Sequence, residues 1–488
     1  IAGELKRSQI FIFMMNTYTF RKLFVCIALF ATASLSYQSI AQDTWDIEGT
    51  ILTEYDLVTG LQVPWEILWG PDDMIWSTTR PGDVFRIDPE TGAYTNVLQL
   101  TVTGNGGSEP GLLGMAMHPD WEITPKVFLV YNTGTNSNIT ERLSVFDWNG
   151  SQLVDEEILL TIDGGGIHNG SRLLILPDNT LLMSTGDTGG ASGAALAQNL
   201  DSENGKMLRI NLDGTVPEDN PWPNSYVYSW GHRNSQGLCL SADGTIYSSE
   251  HGQSNWDEFN IIEEGRNYGW PEVEGACGGA SESAFCDEFN VREPLRSWAP
   301  CIAVNGIEYY NHPAIPAWNN CVLLSVMGGF ANPSNKGLKI LHLSEDGLEV
   351  DSEDQYFSEF NQRVRDICVN PTTGALYMAL NGPSYPGSGP NIIKEFRPGV
   401  NIGISTIEEN LVDALIYPNP ASDIVNLKVS ASLLDGEYKI IDYSGRTVEA
   451  GEINTTVVSI NVSDHARGSY YINIQKGEET ITRTFTLQ

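Results

Sequence analysis

"WGPDDMIWSTTRPGDVFRIDPETG", residues 69–92, sets two short β-rich runs, "MIWSTT" and "DVFRI", on either side of a Pro-Gly turn and bounds them with Asp- and Gly-bearing turns. Runs of five or six residues are too short for an amphipathic helix, and Pro, Gly and Asp supply the tight reversals that paired strands need. The same order returns as "MHPDWEITPKVFLVYNTG" with "RLSVFDWNGS", and as "LPDNTLLMSTGD" with "GKMLRINLDG". It returns again as "SADGTIYSSEHG" with "DEFNIIEEG", "WNNCVLLSV" with "KGLKILHLSEDG", and "NPTTGALYMAL" with "NIIKEFRPG". Six units between about residues 45 and 400, each long enough for a four-stranded sheet, predict an all-β chain. Radial repetition removes the exposed sheet edges, so the expected fold is a six-bladed β-propeller.

Beyond a linker over 401–411 the style changes. "ALIYPNPASDIVNLKVS", "YKIIDYSGRTVEAGEI" and "GSYYINIQKGEETITRTFTLQ" alternate apolar and polar residues between turns, which predicts a small C-terminal β-sandwich over 412–488. At the other end, Arg21 and Lys22 precede the apolar run "LFVCIALFATASLS" and a small-residue site near Ala41, the pattern of a secretory signal peptide within residues 1–41. The residues before Met14 read as an upstream extension.

The 488 residues carry a formal net charge of −35. Such a chain has no basic stripe to neutralise phosphates, which excludes nucleic acid, and anionic lipid surfaces repel it. An export signal implies an oxidising compartment, where the six cysteines beyond Cys26 form an even set. "EGACGGASESAFCDE", residues 274–288, offers the best local pair, Cys277 and Cys286; spacing leaves the other four open.

Chemistry concentrates in loops before predicted strands. In "GGGIHNGSRLLILPD", residues 164–178, His168 follows three glycines at the mouth of a strand, as either a proton acceptor near neutral pH or a capping turn residue. "SWGHRNSQGLCL" presents Arg233 and Asn234, and a guanidinium suits a carboxylate or a developing oxyanion. Arg363 and Arg365 in "FNQRVRDICVN" lie two apart, on one face of a strand, where two cations repel unless an anion or acidic neighbours answer them. "SSEHGQSNWDEFNIIEEGRNYGWPEV" gathers Glu250, Asp257, Glu258 and Tyr268 among glycines and asparagines, an oxygen-rich loop of the kind calcium takes. Glu109 sits in the Gly/Pro loop "GGSEPGLLGMAMHPDW", placed to accept a ligand hydroxyl.

Taken in order, "PWEILWGPDDMIWSTTRPG", "EPGLLGMAMHPD", "HNGSRLLILPDNTLLMSTGD", "GKMLRINLDGTVPEDNPW", "YSWGHRNSQGL", "SSEHG", "WAPCIAVNGIEYY" and "RVRD" resemble the soluble pyrroloquinoline quinone (PQQ)-dependent sugar dehydrogenases of the glucose/sorbosone type. The tail, with "YPNP", "DYSGR" and "GSYYINI", resembles the C-terminal sorting domain of the type IX secretion system of Bacteroidetes. The first resemblance implies that His168 is the general base toward a sugar's anomeric hydroxyl, with hydride passing from C1 to the quinone. It implies that Arg233 and a calcium ion on the carbonyls of Gly252 and Gln253 polarise the quinone, and that Asn234 assists. By the same resemblance Arg363 and Arg365 face the quinone carboxylates, Glu109 stands beside the substrate, and Trp298 packs against the cofactor plane. Asp257, Glu258 and Tyr268 match a second, structural calcium site.

Three positions depart from the family pattern. Ile167 stands where some members have an aspartate before the histidine, so an orienting carboxylate has to come from elsewhere. A quinone-binding lysine is not clear, Gly328 falling near its place, and Lys336 replaces it only if the loop "SVMGGFANPSNKGLKI" folds back. Val304 and Asn305 replace a common Pro-Ser. The resulting expectation is a secreted or surface-held quinoprotein acting on a small sugar, exported by the type IX machinery through the periplasm, with an unidentified electron acceptor. The alternative is a non-catalytic propeller that binds glycan or protein; a calcium-dependent lactonase explains the arginine pair poorly.

Overall fold

The computed structural model describes residues 43–104, 109–135, 137–385, 387, 389–399, 414–417, 419, 421–442, 446–477 and 479–487. The expected signal peptide and the 401–411 linker lie outside the described residues. Two compact units divide the chain, one ending at Asn401 and the other beginning at Ile402.

The first unit is built from six antiparallel sheets. Their first strands are Pro64–Trp69, Leu112–Met117, Gly170–Ile175, Ser235–Leu240, Val304–Tyr310 and Val364–Val369. Each of these neighbours the next, and the last returns to the first, so the six form a closed ring. All six repeats seen in the sequence fall on the second and third strands of successive sheets. Three of the turns that precede them share one hydrogen-bond pattern. Gly70 N donates to Met74 O, Leu176 N to Thr180 O and Ser241 N to Thr245 O, and each is closed by a return bond from a residue with positive φ. Those return donors are Asp73, Asn179 and Gly244, which tolerate the left-handed conformation better than most residues.

Five sheets are consecutive up-and-down runs of four strands. The sixth takes its outer strands from the start of the chain: Thr50–Thr59 pairs with Asn391–Pro398, and Thr44–Ile47 adds to it. This pairing joins the two ends of the unit, so Asn391–Pro398 is covered rather than left as an edge. Lys394 reinforces it, binding Glu54 and, at 2.5 Å, Asp56. Between sheets the core is aliphatic and aromatic, as in the cluster of Trp76, Val84, Leu112, Met115, Val127 and Phe146. The helices of this unit among the described residues are short: Gly190–Ala197 and Gly279–Phe289. The second carries Cys286, disulfide-bonded to Cys277, while Cys239, Cys301, Cys321 and Cys368 are free thiols.

The second unit has a three-stranded sheet (Ala414–Tyr417, Ile424–Val429, Val457–Asn461) and a four-stranded one (Thr447–Ile453, Gly436–Asp442, Gly468–Lys476, Glu479–Leu487). Its core includes Val425, Leu427, Ile440, Ile453, Ile472 and Phe485. Among the described residues no helix is long and apolar enough to cross a membrane.

The closing ion pair yields a test. Lys394→Met leaves the buried Glu54 carboxylate without its cation, so urea unfolding is expected to show a loss of about 3 kcal/mol. A midpoint unchanged from the parent refutes the claim that this contact secures the junction.

Candidate active site

Every inner strand breaks register after its first pair: between Pro64 and Glu66, Leu112 and Met115, Gly170 and Leu173, Ser235 and Gly237, Val304 and Ile307, and Val364 and Asp366. A bulge bends the strand and re-aims side chains. Because the strands alternate in direction, the starts of first strands and the ends of second strands share one rim of the ring. His168, Arg233, Arg363 and Arg365 stand at starts; Asp187, His251, Arg80 and Met327 stand just past the ends of second strands.

His168 occupies this rim with φ 54°, a left-handed conformation unusual outside glycine. Both sides of its backbone are held: its N–H donates to Glu109 Oε2 at 2.9 Å, and its carbonyl accepts from Thr188 N at 3.1 Å. The ring is held as firmly. Nδ1 lies 2.7 Å from Asp187 Oδ1, and Nε2 lies 3.2 Å from Arg233 Nη2. Arginine has donors only, so Nε2 is the acceptor and the proton sits on Nδ1, shared with Asp187. That tautomer makes Nε2 the basic nitrogen, and a substrate hydroxyl reaches its lone pair by displacing the Arg233 donor.

Asp187 is the orienting carboxylate that Ile167 does not supply. Its side chain is 2% exposed and also accepts from Gly189 N at 2.8 Å and Trp270 Nε1 at 2.9 Å. Sequence reasoning quoted it only as the end of a repeat, "LPDNTLLMSTGD". The available signal was its place two residues past a second strand, Thr180–Thr185, on the rim that carries His168. Ile167 itself is 41% exposed and packs toward Gly189, where any added Cβ would meet its Cγ1 at 2.6 Å.

Arg233 is fixed from several directions. Its N–H binds Glu250, Nη1 donates to His251 O at 3.0 Å, and its guanidinium lies 5.2 Å from the Trp270 ring centroid. Asn234 accepts from Gly170 N at 3.1 Å through Oδ1, tying this loop to the histidine strand. His251 is bonded by Asn305 Nδ2 at 3.2 Å. Burial, opposed by Asp257 and aided by Arg233 and Arg365, lowers its pKa to about 4, so it is neutral at physiological pH.

Arg363 and Arg365 share one partner, the thioether of Met327, at 3.2 and 3.8 Å. Burial first, then the Arg80 charge, lowers the Arg363 pKa to about 10; the fully enclosed Arg365 is pushed down further by burial and by Arg172, Arg80 and Arg363. Glu109 and Tyr385 act on Arg363 in the opposite sense. The loop before Gly337–Leu343 does fold back. Lys336 Nζ donates to Pro383 O at 2.7 Å and Asn361 Oδ1 at 3.1 Å, bracing the segments on either side of Arg363.

Other expected residues lie apart from this group. Trp298 is on the fourth strand of its sheet, buried in the core with Tyr247 and Phe259 and bonded to Glu353 at 3.1 Å; Trp270 and Trp65 are the indoles that meet the rim arginines. Asp257 receives N–H groups from Gly252, Ile302 and Ala303, at 2.9, 2.8 and 2.6 Å. Glu258 accepts from Asn260 and Gly275, and Tyr268 OH bonds Ile261 O and Glu263 N. These three side chains are committed to protein donors and acceptors and do not form a ligand shell. Among the described residues no group of three or more His, Cys, Asp or Glu is placed to hold a metal. Gly252 and Gln253 fall between His251 and Asp257, where a Cβ on Gly252 would collide with the carbonyls of Asn255 and Trp256, a loop only glycine can close.

Beneath His168, Glu141 is 2% exposed, with Asn132 Nδ2 at 3.4 Å from Oε2. Asn132 reaches Asn169 at 3.2 Å, and Asn169 takes the Gly165 N–H at 2.9 Å, so this chain clamps the glycine loop. Burial raises the Glu141 pKa to about 8. The folded state therefore holds a proton that the unfolded chain releases near the ordinary glutamate value of 4.5. The stabilising contribution is full below that value and is lost as pH rises through 8, at about 1.4 kcal/mol per pH unit in between. Glu141→Gln, which keeps the neutral shape, is expected to flatten the decline in stability between pH 5.5 and 8 in urea titrations. A slope equal to the parent's excludes a neutral Glu141.

A family model described as Glucose / Sorbosone dehydrogenase matches residues 61–385, and one described as Secretion system C-terminal sorting domain matches residues 415–488. Quinoprotein glucose dehydrogenase B of Acinetobacter calcoaceticus is 34% identical over 45% of this chain and 52% of its own length. Aldose sugar dehydrogenase YliI of Escherichia coli K12 is 25% identical, covering 70% of this chain and 92% of its own. The structure of a PQQ-bound aldose sugar dehydrogenase from Streptomyces coelicolor superposes with a TM-score of 0.59 at 28% identity, covering 70% of this chain and 96% of that one.

Proposed function

Because this chain belongs to the glucose/sorbosone dehydrogenase family, and is thereby an oxidoreductase of the PQQ-dependent sugar dehydrogenase type with a secretion sorting domain, we propose that it oxidises the C1 hydroxyl of aldose sugars or related polyols. The observation that carries this reading is the pair of contacts on the His168 ring, Nδ1 on the Asp187 carboxylate and Nε2 facing Arg233. His168 takes the hydroxyl proton on Nε2, and Asp187 stabilises the imidazolium that forms. Glu109, which fixes the histidine backbone through one oxygen, has the other to orient the substrate hydroxyls.

PQQ, when bound, supplies a two-electron acceptor for the hydride leaving C1. The residues suit a flat anion with three carboxylates: Nε and Nη2 of Arg365 are buried without hydrogen-bond partners, and Arg363 is met by sulfur rather than by a carboxylate. Arg233 faces the same rim and, with Asn234, would hold the quinone carbonyl end. A calcium ion on the Gly252 and Gln253 carbonyls belongs to this reading. Asp257, Glu258 and Tyr268 enter a second calcium shell only by giving up their present partners.

The six sheets are, in this reading, the blades of one propeller over residues 45–400, and the second unit a β-sandwich over 412–488. The sorting domain directs the protein through the periplasm to the surface or medium, and its electron acceptor is encountered there.

Reconstitution of the full chain with PQQ and calcium, followed by dye reduction over an aldose panel, tests the proposal. His168→Gln is expected to retain quinone binding while turnover falls about 10²–10⁴-fold, and Asp187→Asn to lose rate by imposing the wrong tautomer. Absence of both quinone binding and dye reduction in the parent overturns the enzyme reading in favour of a glycan- or protein-binding propeller. Chelation of calcium is expected to abolish turnover reversibly; full activity in excess chelator removes the metal from the scheme.

A further inference from the structure

Trp65 lies at the bulge that opens strand Pro64–Trp69 and is 2% exposed. Two guanidiniums lie over its ring, Arg172 at 4.6 Å and Arg365 at 4.5 Å from the centroid. They come from the bulges of the third and sixth sheets, on strands Gly170–Ile175 and Val364–Val369. One indole therefore joins three sheets.

The two cations are treated differently. Arg172 Nη1 meets Glu66 Oε1 at 3.0 Å and Asp366 Oδ2 at 3.1 Å, and its Nε donates to Gln236 O at 3.0 Å. Arg365 has the long contact from Nη1 to Met327 Sδ, while its Nε and Nη2 are buried with no partner. Asp366, adjacent in sequence, directs Oδ2 to Arg172 and to Ile67 N at 2.7 Å. An indole face and a thioether stabilise a guanidinium without neutralising it. A carboxylate in their place would hold Arg365 more tightly and cancel the charge a ligand needs.

We infer that Trp65 is a positioning residue, whose ring, anchored from the carboxylate-bound Arg172, holds Arg365 charged and oriented toward a carboxylate of the bound cofactor. The inference rests on the quinone reading above and deepens it by assigning a residue with no polar contact to the ligand's charge. The thioether of Met327 then serves as a partner that an incoming carboxylate displaces at little cost.

The test compares PQQ with its uncharged trimethyl ester, titrated into the purified full chain in the presence of calcium, with binding followed by quinone absorbance. The parent is expected to prefer the tricarboxylate. Trp65→Leu should weaken PQQ roughly 2- to 30-fold and leave the ester unchanged, since a cation–π contact spans that range. Trp65→Phe, which keeps an aromatic face and also folds where leucine leaves too large a void, should fall between parent and leucine. In an Arg365→Met background, Trp65→Leu should cost nothing further. Equal weakening of PQQ and ester, or an undiminished preference in Trp65→Leu and Trp65→Phe, overturns the inference while leaving the cofactor reading standing. A parent that shows no preference for the tricarboxylate instead overturns the cofactor reading itself.

Discussion

Sheets that share no strand have to be held in register by something other than a backbone ladder, and here side chains on or beside the strands of one sheet reach the backbone of a neighbouring one. Glu66 takes Met115 N at 2.6 Å, joining the first sheet to the second; Glu109 takes His168 N, joining second to third. Asn234 takes Gly170 N between fourth and third, Asp257 takes Ile302 N and Ala303 N between fourth and fifth, and Asp366 takes Ile67 N between sixth and first. Each bond satisfies a buried or half-buried carboxylate or amide and fixes the angle between neighbours at once. The site draws on those junctions and on the Met327 contact between the fifth and sixth sheets, so its geometry is only as good as these struts.

This construction explains the electrostatics of the rim. The chain is strongly acidic, yet its enclosed carboxylates are largely spent on backbone N–H groups or on Arg172, and none pairs with Arg363 or Arg365 among the ion pairs formed by the described residues. The excess negative charge lies outside, while the rim keeps guanidiniums backed by indole rings and sulfur. In a site with little water, such uncancelled charge acts far more strongly than it would on the surface.

Much of this was legible in residue order, and the limits have physical causes. The turns of "GPDDM", "LPDNT" and "SADGT" were readable because short hairpins demand Asp, Asn or Gly at positive φ, and that demand is local. His168 after three glycines, and Arg233 before a strand, announced themselves for the same reason. Trp65 and Met327 did not, because each acts through a residue of another sheet, and Asp187 did not, because nothing local marks an aspartate past a strand end as the orienting group of a histidine 19 residues earlier. Trp298 is the converse case: position in a motif suggested an aromatic over a ligand, whereas its indole, on the fourth strand of its sheet, packs in the core with Tyr247 and Phe259. Asp257 looked like a cation ligand by composition, but the turn leading into Val304–Tyr310, with Ala303 at φ 60°, brings it the N–H donors of Ile302 and Ala303.

The left-handed backbone at His168 brings these threads together. A non-glycine residue at φ 54° is held there only if the surroundings over-determine it. Here the restraints are Glu109 from the second sheet, Thr188 across the turn, and the absence of any side chain on Gly186, where a Cβ would collide with the His168 carbonyl. Relaxing His168 to an ordinary strand conformation would swing the imidazole away from Asp187 and Arg233 together. The strain therefore does not sit beside the chemistry by chance: the conformation that the loop disfavours is the one in which a single ring touches both its orienting carboxylate and its cationic neighbour, and the inter-sheet struts supply the force that maintains it.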